Sequence, residues 1–280
     1  MHVLKNKKIS VKIDEKSGEV LSVIKNGTER LWQNEDGSWD GHCPVLFPAC
    51  GHVGLNYNGK IYDLQPHGFA KNKTFSIIKA NNKKIELSLK YDEETLKVYP
   101  FKFDFRMIYK IKGDVLTFVY QVKNLGENNL FFSCGGHESF QLDGSVDNFS
   151  IQFNKEEIFL NYCNNEDGYL TCKTEVLGQG NELKLNDEWF KNSLSLVFKE
   201  LKSNSVTLLK GDIPIAQITY KGFAVLVLWK EYGSKFICIE PWLNLPDTIN
   251  NINDKIETKF GLLQVKPNKT KKVKQTVKYF

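Results

Sequence analysis

The sequence predicts an all-β protein, a large single-domain β-sandwich over residues 1–280, and three observations predict it. Short runs alternate between apolar and polar residues, with turn signals every ~8–12 residues. Helical periodicity is almost absent, Asp92–Val98 before Pro100 being the best short exception. Hydrophobic residues make up 41% and charged residues 25% of 280, an ordinary globular balance in a chain long enough to bury two packed sheets.

In chain order, Lys8–Ile13 and Glu19–Ile24 read as strands joined at Glu15-Lys16-Ser17-Gly18. The segment QNEDGSWDGHC after Trp32 is polar and glycine-bearing, hence an irregular loop. Pro44–Pro48 is apolar between prolines and therefore extended. Asn58-Gly59 is a hairpin turn between Leu55–Tyr57 and Lys60–Leu64. Two strands follow around Asn81-Asn82. A long hairpin, Phe101–Lys112 with Asp114–Lys123, turns at Lys112-Gly113. Residues 143–192 carry many Asn, Asp and Gly and read as irregular, with one helical turn near Asp187–Lys191. Strands resume at Ser193–Phe198, Ser205–Leu209, Ile213–Tyr220, Ala224–Trp229 and Lys235–Glu240. The final pair, Glu257–Val265 and Thr270–Tyr279, turns at Pro267-Asn268.

Composition excludes several classes of function. The net charge of +5 is almost wholly lysine, since Arg30 and Arg106 are the only arginines. Lysines are dispersed apart from Lys269, Lys271, Lys272 and Lys274, which suits a solvated surface and not a nucleic-acid partner. No run approaches the ~18 apolar residues that span a bilayer, and the N-terminus lacks a secretory pattern, so no membrane partner is expected. The six cysteines form no CxxC pair and suit free thiols in a reducing cytoplasm. No HxH, HxxH or HExxH supports a metal, no GxSxG supports a serine nucleophile, and no phosphate-cradling loop opens a helix.

The stretch Phe131–Phe140, FFSCGGHESF, presents the strongest candidate. Gly135 and Gly136 can adopt backbone conformations closed to other residues, which would turn the chain and leave His137 in a cleft. A buried histidine beside a β-bulge fits the same ten residues. Four of the five histidines adjoin glycine, and His67 is held between Pro66 and Gly68. In Phe236–Trp242, FICIEPW, proline makes Glu240 the expected last strand residue, with Trp242 beside it as a wall for a sugar ring. A strand-end glutamate facing solvent is the plainer alternative.

Taken together, these segments resemble the aldose 1-epimerase (galactose mutarotase) family, nearest to a bacterial branch associated with sugar-utilisation genes. The likeness runs in register through PVLFPACG (Pro44–Gly51), YDLQPHGFAK (Tyr62–Lys71), YPFKF (Tyr99–Phe103), FSCGGHESF (Phe132–Phe140) and FICIEPW (Phe236–Trp242). It implies a supersandwich fold, a sugar substrate, no cofactor and no metal, in a monomer or a homodimer. It also implies His137 as general acid, Glu240 as general base and His67 as a sugar ligand, with a carboxylate and an imidazolium of ordinary pKa on opposite sides of one ring. The departures lie in the binding shell. His52 stands where the family has a sugar-binding arginine, and Lys71 where a second arginine follows the HGF segment. The family's second-half aspartate has no clear counterpart, Asp187 lying near its expected place. A non-catalytic sugar-binding or sugar-sensing protein, and a hexose 6-phosphate epimerase using lysines, are therefore alternative expectations.

Overall fold

In the computed structural model, which describes residues 1–192 and 194–280 with their side chains, antiparallel strands dominate. The largest sheet has 13 strands. From one edge it runs Glu138–Gln141, Phe236–Trp242, Val225–Trp229, Leu196–Lys199, Phe149–Asn164 and Ser205–Lys210. It continues through Ile213–Thr219, Thr270–Tyr279, Val115–Asn124, Phe103–Lys112 and Lys84–Lys90 to Ser76–Asn81, while Leu170–Lys184 pairs only with Phe149–Asn164. A four-stranded sheet (His2–Lys5, Ile9–Ile13, Val20–Lys25, Thr28–Glu29) and two hairpin-sized pairs complete the chain.

The large sheet folds over itself. Glu138–Gln141 and Thr270–Tyr279 are seven places apart in the strand order, which in a flat sheet means roughly 34 Å. Yet Phe140 and Tyr279 bring their ring centroids to 6.5 Å. The two layers enclose one apolar core that reaches from Leu4 to Tyr279. Phe47 lies at its aromatic centre, stacked on Phe105 at 4.1 Å and meeting Tyr99 and Phe103 edge-on. The short helix Glu93–Val98 forms because Asp92 accepts the Thr95 N–H while the Thr95 hydroxyl accepts the Asp92 N–H. It stops at Tyr99, which the following proline holds extended.

Most expected strands are present, and three readings need correction. Residues 143–192 contain the two longest strands, Phe149–Asn164 and Leu170–Lys184, although the helical turn is there as Asp187–Ser193. Leu170–Lys184 is mostly exposed and its pairing has three register shifts, so the alternation of buried Phe149, Ile151 and Phe153 is not repeated in the second strand. Glu257–Val265 is not one strand: Ile256–Thr258 is a helical turn, and Leu263–Val265 pairs with Leu130–Phe132. The strand expected to stop at Glu240 continues to Trp242. Pro241 is tolerated because its N and carbonyl face the side where the neighbouring strand has ended, and its carbonyl accepts the Gly136 N–H at 3.0 Å. Among the described residues, no helix is long and apolar enough to cross a membrane.

Candidate active site

Strand parity builds the floor of a cavity. In Phe236–Trp242, Ile237 and Ile239 enter the main core, while Phe236, Cys238, Glu240 and Trp242 take the other face. The neighbouring strands repeat the division. Leu226 and Leu228 point to the core and Val225 and Val227 away from it, as do Leu196 and Phe198 against Val197. Val197 pairs with Val227 and Val227 with Glu240, so the carboxyl stands in a row with two valines.

The same register brings in the histidine. Glu138 pairs with Ile239, and Gly135 bridges Trp242, which sets His137 opposite Glu240. His137 Nε2 lies 3.3 Å from Glu240 Oε2, with both residues buried. Burial pushes Glu240 well above the usual carboxylate range, and the nearby Glu138 adds to that shift. Burial likewise pushes His137 down to about 3, with a further contribution from Lys71. Both shifts favour a neutral carboxyl beside a neutral imidazole. The expectation of ordinary pKa values on opposite sides of a ring is thereby replaced by adjacent groups on one wall, both displaced by desolvation.

Gly135 and Gly136 serve close approach and not an unusual turn, since neither has a positive φ. A Cβ on Gly135 would sit 2.6 Å from Trp242 Cδ1 and 2.7 Å from the Pro241 carbonyl. On Gly136 it would sit 2.3 Å from Gln275 Nε2 and 2.5 Å from Glu138 Oε2.

His67 does take a left-handed backbone (φ 65°), as does Gly68 (φ 69°). His67 is not glycine, so its conformation costs roughly 1–3 kcal/mol that the surroundings must hold in place. Two bonds do so: its N–H donates to the Gly51 carbonyl at 3.0 Å, and its Nδ1 accepts the Gly51 N–H at 3.2 Å. The second bond fixes the tautomer with the proton on Nε2. Burial holds His67 well below its ordinary pKa, and His137 and Lys71 push the same way. It is a neutral donor, 5.4 Å from the His137 ring and 5.5 Å from that of Trp242.

These groups line a cavity of about 280 Å³, together with Trp39, His52, Lys71, Asp167 and Trp229. The sequence reading missed Trp39, whose ring stacks on His137 at 5.3 Å with 22° between planes. It lies in the loop read only as irregular, where Gly41 leaves space for the indole. A tryptophan in a polar, glycine-rich loop was the available signal. Lys71, half-buried, has its pKa lowered by desolvation alone.

His52 stacks on Tyr169 at 4.2 Å and is flanked by Asp167. Both come from the tip of the Phe149–Lys184 hairpin, which Asn164 anchors by a two-way hydrogen-bond exchange with Ser195. Burial lowers the His52 pKa. Asp187 is not part of the cavity lining; its carboxylate takes Lys230 and the Gly233 N–H.

Beneath His52, Asp247 accepts the Gly54 N–H and donates its own N–H to the His52 carbonyl. Lys259 closes this unit, 2.6 Å from Asp247 Oδ2, with both side chains about 5% exposed or less. Lys259→Met leaves a buried carboxylate without its cation and is expected to destabilise the fold by about 3–5 kcal/mol, read by urea denaturation. A loss under about 1 kcal/mol would show that solvent reaches Asp247.

The heteroatoms of His137, Cys238 and Glu240 lie within 4.8 Å of one another. With no metal bound, burial pushes the Cys238 thiol well up and keeps it neutral.

A family model described as Aldose 1-epimerase matches residues 1–263. Protein LacX of Lactococcus lactis subsp. lactis is 29% identical over 96% of this chain and 93% of its own. A solved galactose mutarotase related enzyme from Lactobacillus acidophilus superposes with a TM-score of 0.92 at 28% identity, covering 100% of this chain and 97% of its own. A galactose mutarotase-like protein from Lactobacillus casei ATCC 334 shares the fold with a TM-score of 0.88 at 21% identity, each chain covered in full.

Proposed function

Because this chain belongs to the aldose 1-epimerase family, we propose that it interconverts the α and β anomers of a free aldose by opening and closing the sugar ring. The observation that carries this reading is the pairing of His137 with Glu240 at 3.3 Å in the cavity wall. Transfer of the Glu240 carboxyl proton to the neutral imidazole gives Glu240 carboxylate as base and His137 imidazolium as acid. Glu240 takes the proton from the anomeric hydroxyl, and that O–H electron pair becomes the second bond of the aldehyde. The bond from C1 to the ring oxygen breaks, its electrons go to that oxygen, and His137 protonates it. Rotation about C1–C2 and the reverse transfers close the other anomer. The ring oxygen and the anomeric hydroxyl are bonded to the same carbon, so neighbouring acid and base can reach both. Atoms and charge balance without a cofactor.

His67 Nε2–H is suited to donate to a sugar oxygen, and Trp39, Trp229 and Trp242 offer apolar ring faces around it. The cavity volume, near the lower end of the ~300–1,000 Å³ range of small-molecule sites, favours a monosaccharide. The test is polarimetry, or proton NMR of the anomeric signal, on freshly dissolved α-glucose and α-galactose, pentoses and hexose 6-phosphates. Acceleration with a neutral aldose is expected. Acceleration of 6-phosphates alone would move the substrate to an anion held by Lys71. Saturable binding by calorimetry without acceleration would replace the enzyme by a sugar-binding protein.

A further inference from the structure

Behind His137, on the opposite face of the same strand, Glu138 is fully buried. Its Oε1 accepts from Gln275 Nε2 on Thr270–Tyr279, across the fold of the large sheet. Two acceptors are left over. Glu138 Oε2 and Gln275 Oε1 are both buried without a hydrogen-bond partner. Both also crowd the same point, 2.5 Å and 2.8 Å from where a Cβ on Gly136 would be. Rotating the Gln275 amide by half a turn does not help, since it exchanges one donor–acceptor contact for the other and again leaves two acceptors opposed. A proton on Glu138 Oε2 would give that oxygen a donor to offer Gln275 Oε1.

We infer that Glu138 is held as a neutral carboxylic acid in a two-point acid–amide pair with Gln275, and that this pair positions His137 against Glu240. The deduction rests on the proposed reaction only for its effect on rate. Consecutive residues of a strand point to opposite faces, so clamping Glu138 fixes the backbone that presents His137. Gly136 must lack a side chain because the pair fills that space.

The groups that face Glu138 offer no cation. They are Cys43 from the loop before Pro44, Tyr109 and Tyr120 from the long hairpin, Gln275 and Tyr279 from the C-terminal strand, and Cys238 and Glu240 from the strand alongside. Burial pushes the Glu138 pKa up to about 8. Ionisation above that pH sets a negative charge beside the Glu240 carboxyl and opposes two bare acceptors within the pair.

The linkage has a definite sign. With a folded pKa above its unfolded value, Glu138 contributes stability that is full below about 4.5 and is lost as pH rises through about 8. Glu138→Gln keeps the shape, replaces the acid–amide pair by an amide–amide pair and cannot ionise. The experiment compares wild type, Glu138→Gln and Gln275→Leu by infrared difference spectroscopy, thermal melting and mutarotation against pH. At pH 7 the wild type minus Glu138→Gln difference should contain the carbonyl band of one protonated carboxyl, fading through about pH 8. Glu138→Gln should match the wild-type Tm near pH 4.5 and exceed it by about 10 °C at pH 8. It should keep most of the mutarotation rate and lose the alkaline decline. Gln275→Leu should lose roughly tenfold in rate, consistent with a positioning role.

No carbonyl band at pH 7 overturns the neutral acid, and an unchanged rate profile in Gln275→Leu overturns the positioning role. If wild type accelerates no sugar, the reading of the reaction fails. The infrared and melting arms still decide the state of Glu138.

Discussion

Glu240→Gln is expected to slow anomer interconversion by roughly 100- to 10,000-fold, the usual range for removing a general acid or base. The substitution is nearly isosteric, and the amide is neutral like the protonated carboxyl that burial favours at this position. It therefore keeps the packing against Val227 and the approach to His137, and removes only the capacity to exchange a proton. His137→Ala is expected to cost a similar factor, because the proposed reaction needs both an acid and a base and either loss ends the exchange. The double variant should be little slower than either single one, as for residues that act as a unit. Polarimetry gives the rates, and calorimetry with the same sugar should show binding retained in Glu240→Gln. Rates within twofold of wild type in both single variants would remove this pair from the reaction.

Gly68→Ala should destabilise the fold by about 3 kcal/mol or more, the second large effect. A left-handed alanine costs on the order of 1 kcal/mol by itself. Its Cβ would also sit 2.3 Å from the Phe47 carbonyl oxygen. That oxygen cannot retreat cheaply, since it accepts the Phe69 and Ala70 N–H groups and belongs to the residue at the aromatic centre of the core. Overpacking of this kind adds roughly 1–3 kcal/mol. Urea denaturation measures the loss. Sugar affinity should fall with it, because the adjoining His67 depends on the same turn. A stability change under about 0.5 kcal/mol would mean that the two chain segments are not in close approach.

Local chemistry along the chain encodes the features that depend on neighbouring residues. Alternating runs and turn residues gave Ile9–Ile13 with Val20–Lys25, Leu55–Tyr57 with Lys60–Tyr62, and the Phe103–Asn124 hairpin. The run Asp92–Val98, stopped by Pro100, gave a short helix. Histidine beside glycine, and a carboxylate in an apolar strand, pointed to His137, His67 and Glu240, which with His52, Lys71 and Trp242 all line one cavity. The long hairpin of residues 149–184 was hidden because Leu170–Lys184 is polar and mostly exposed and its pairing slips register three times, so the buried alternation of Phe149, Ile151 and Phe153 has no counterpart in its partner strand. For the same reason its tip, which brings Asp167 and Tyr169 to His52, could not be assigned to the site.

How the site residues meet depends on long-range packing. His137 stands opposite Glu240 through an edge-strand register set by residues a hundred positions apart, and Val227 and Val197 extend that row. The row is what desolvates the pair and drives both groups toward neutrality, contrary to the ordinary pKa values that isolated side chains imply. Trp39 over His137 and Gln275 behind Glu138 likewise come from distant segments. Residue type is a property of the chain, whereas burial and partners are properties of the packed sheet, and a proton's position depends on the second.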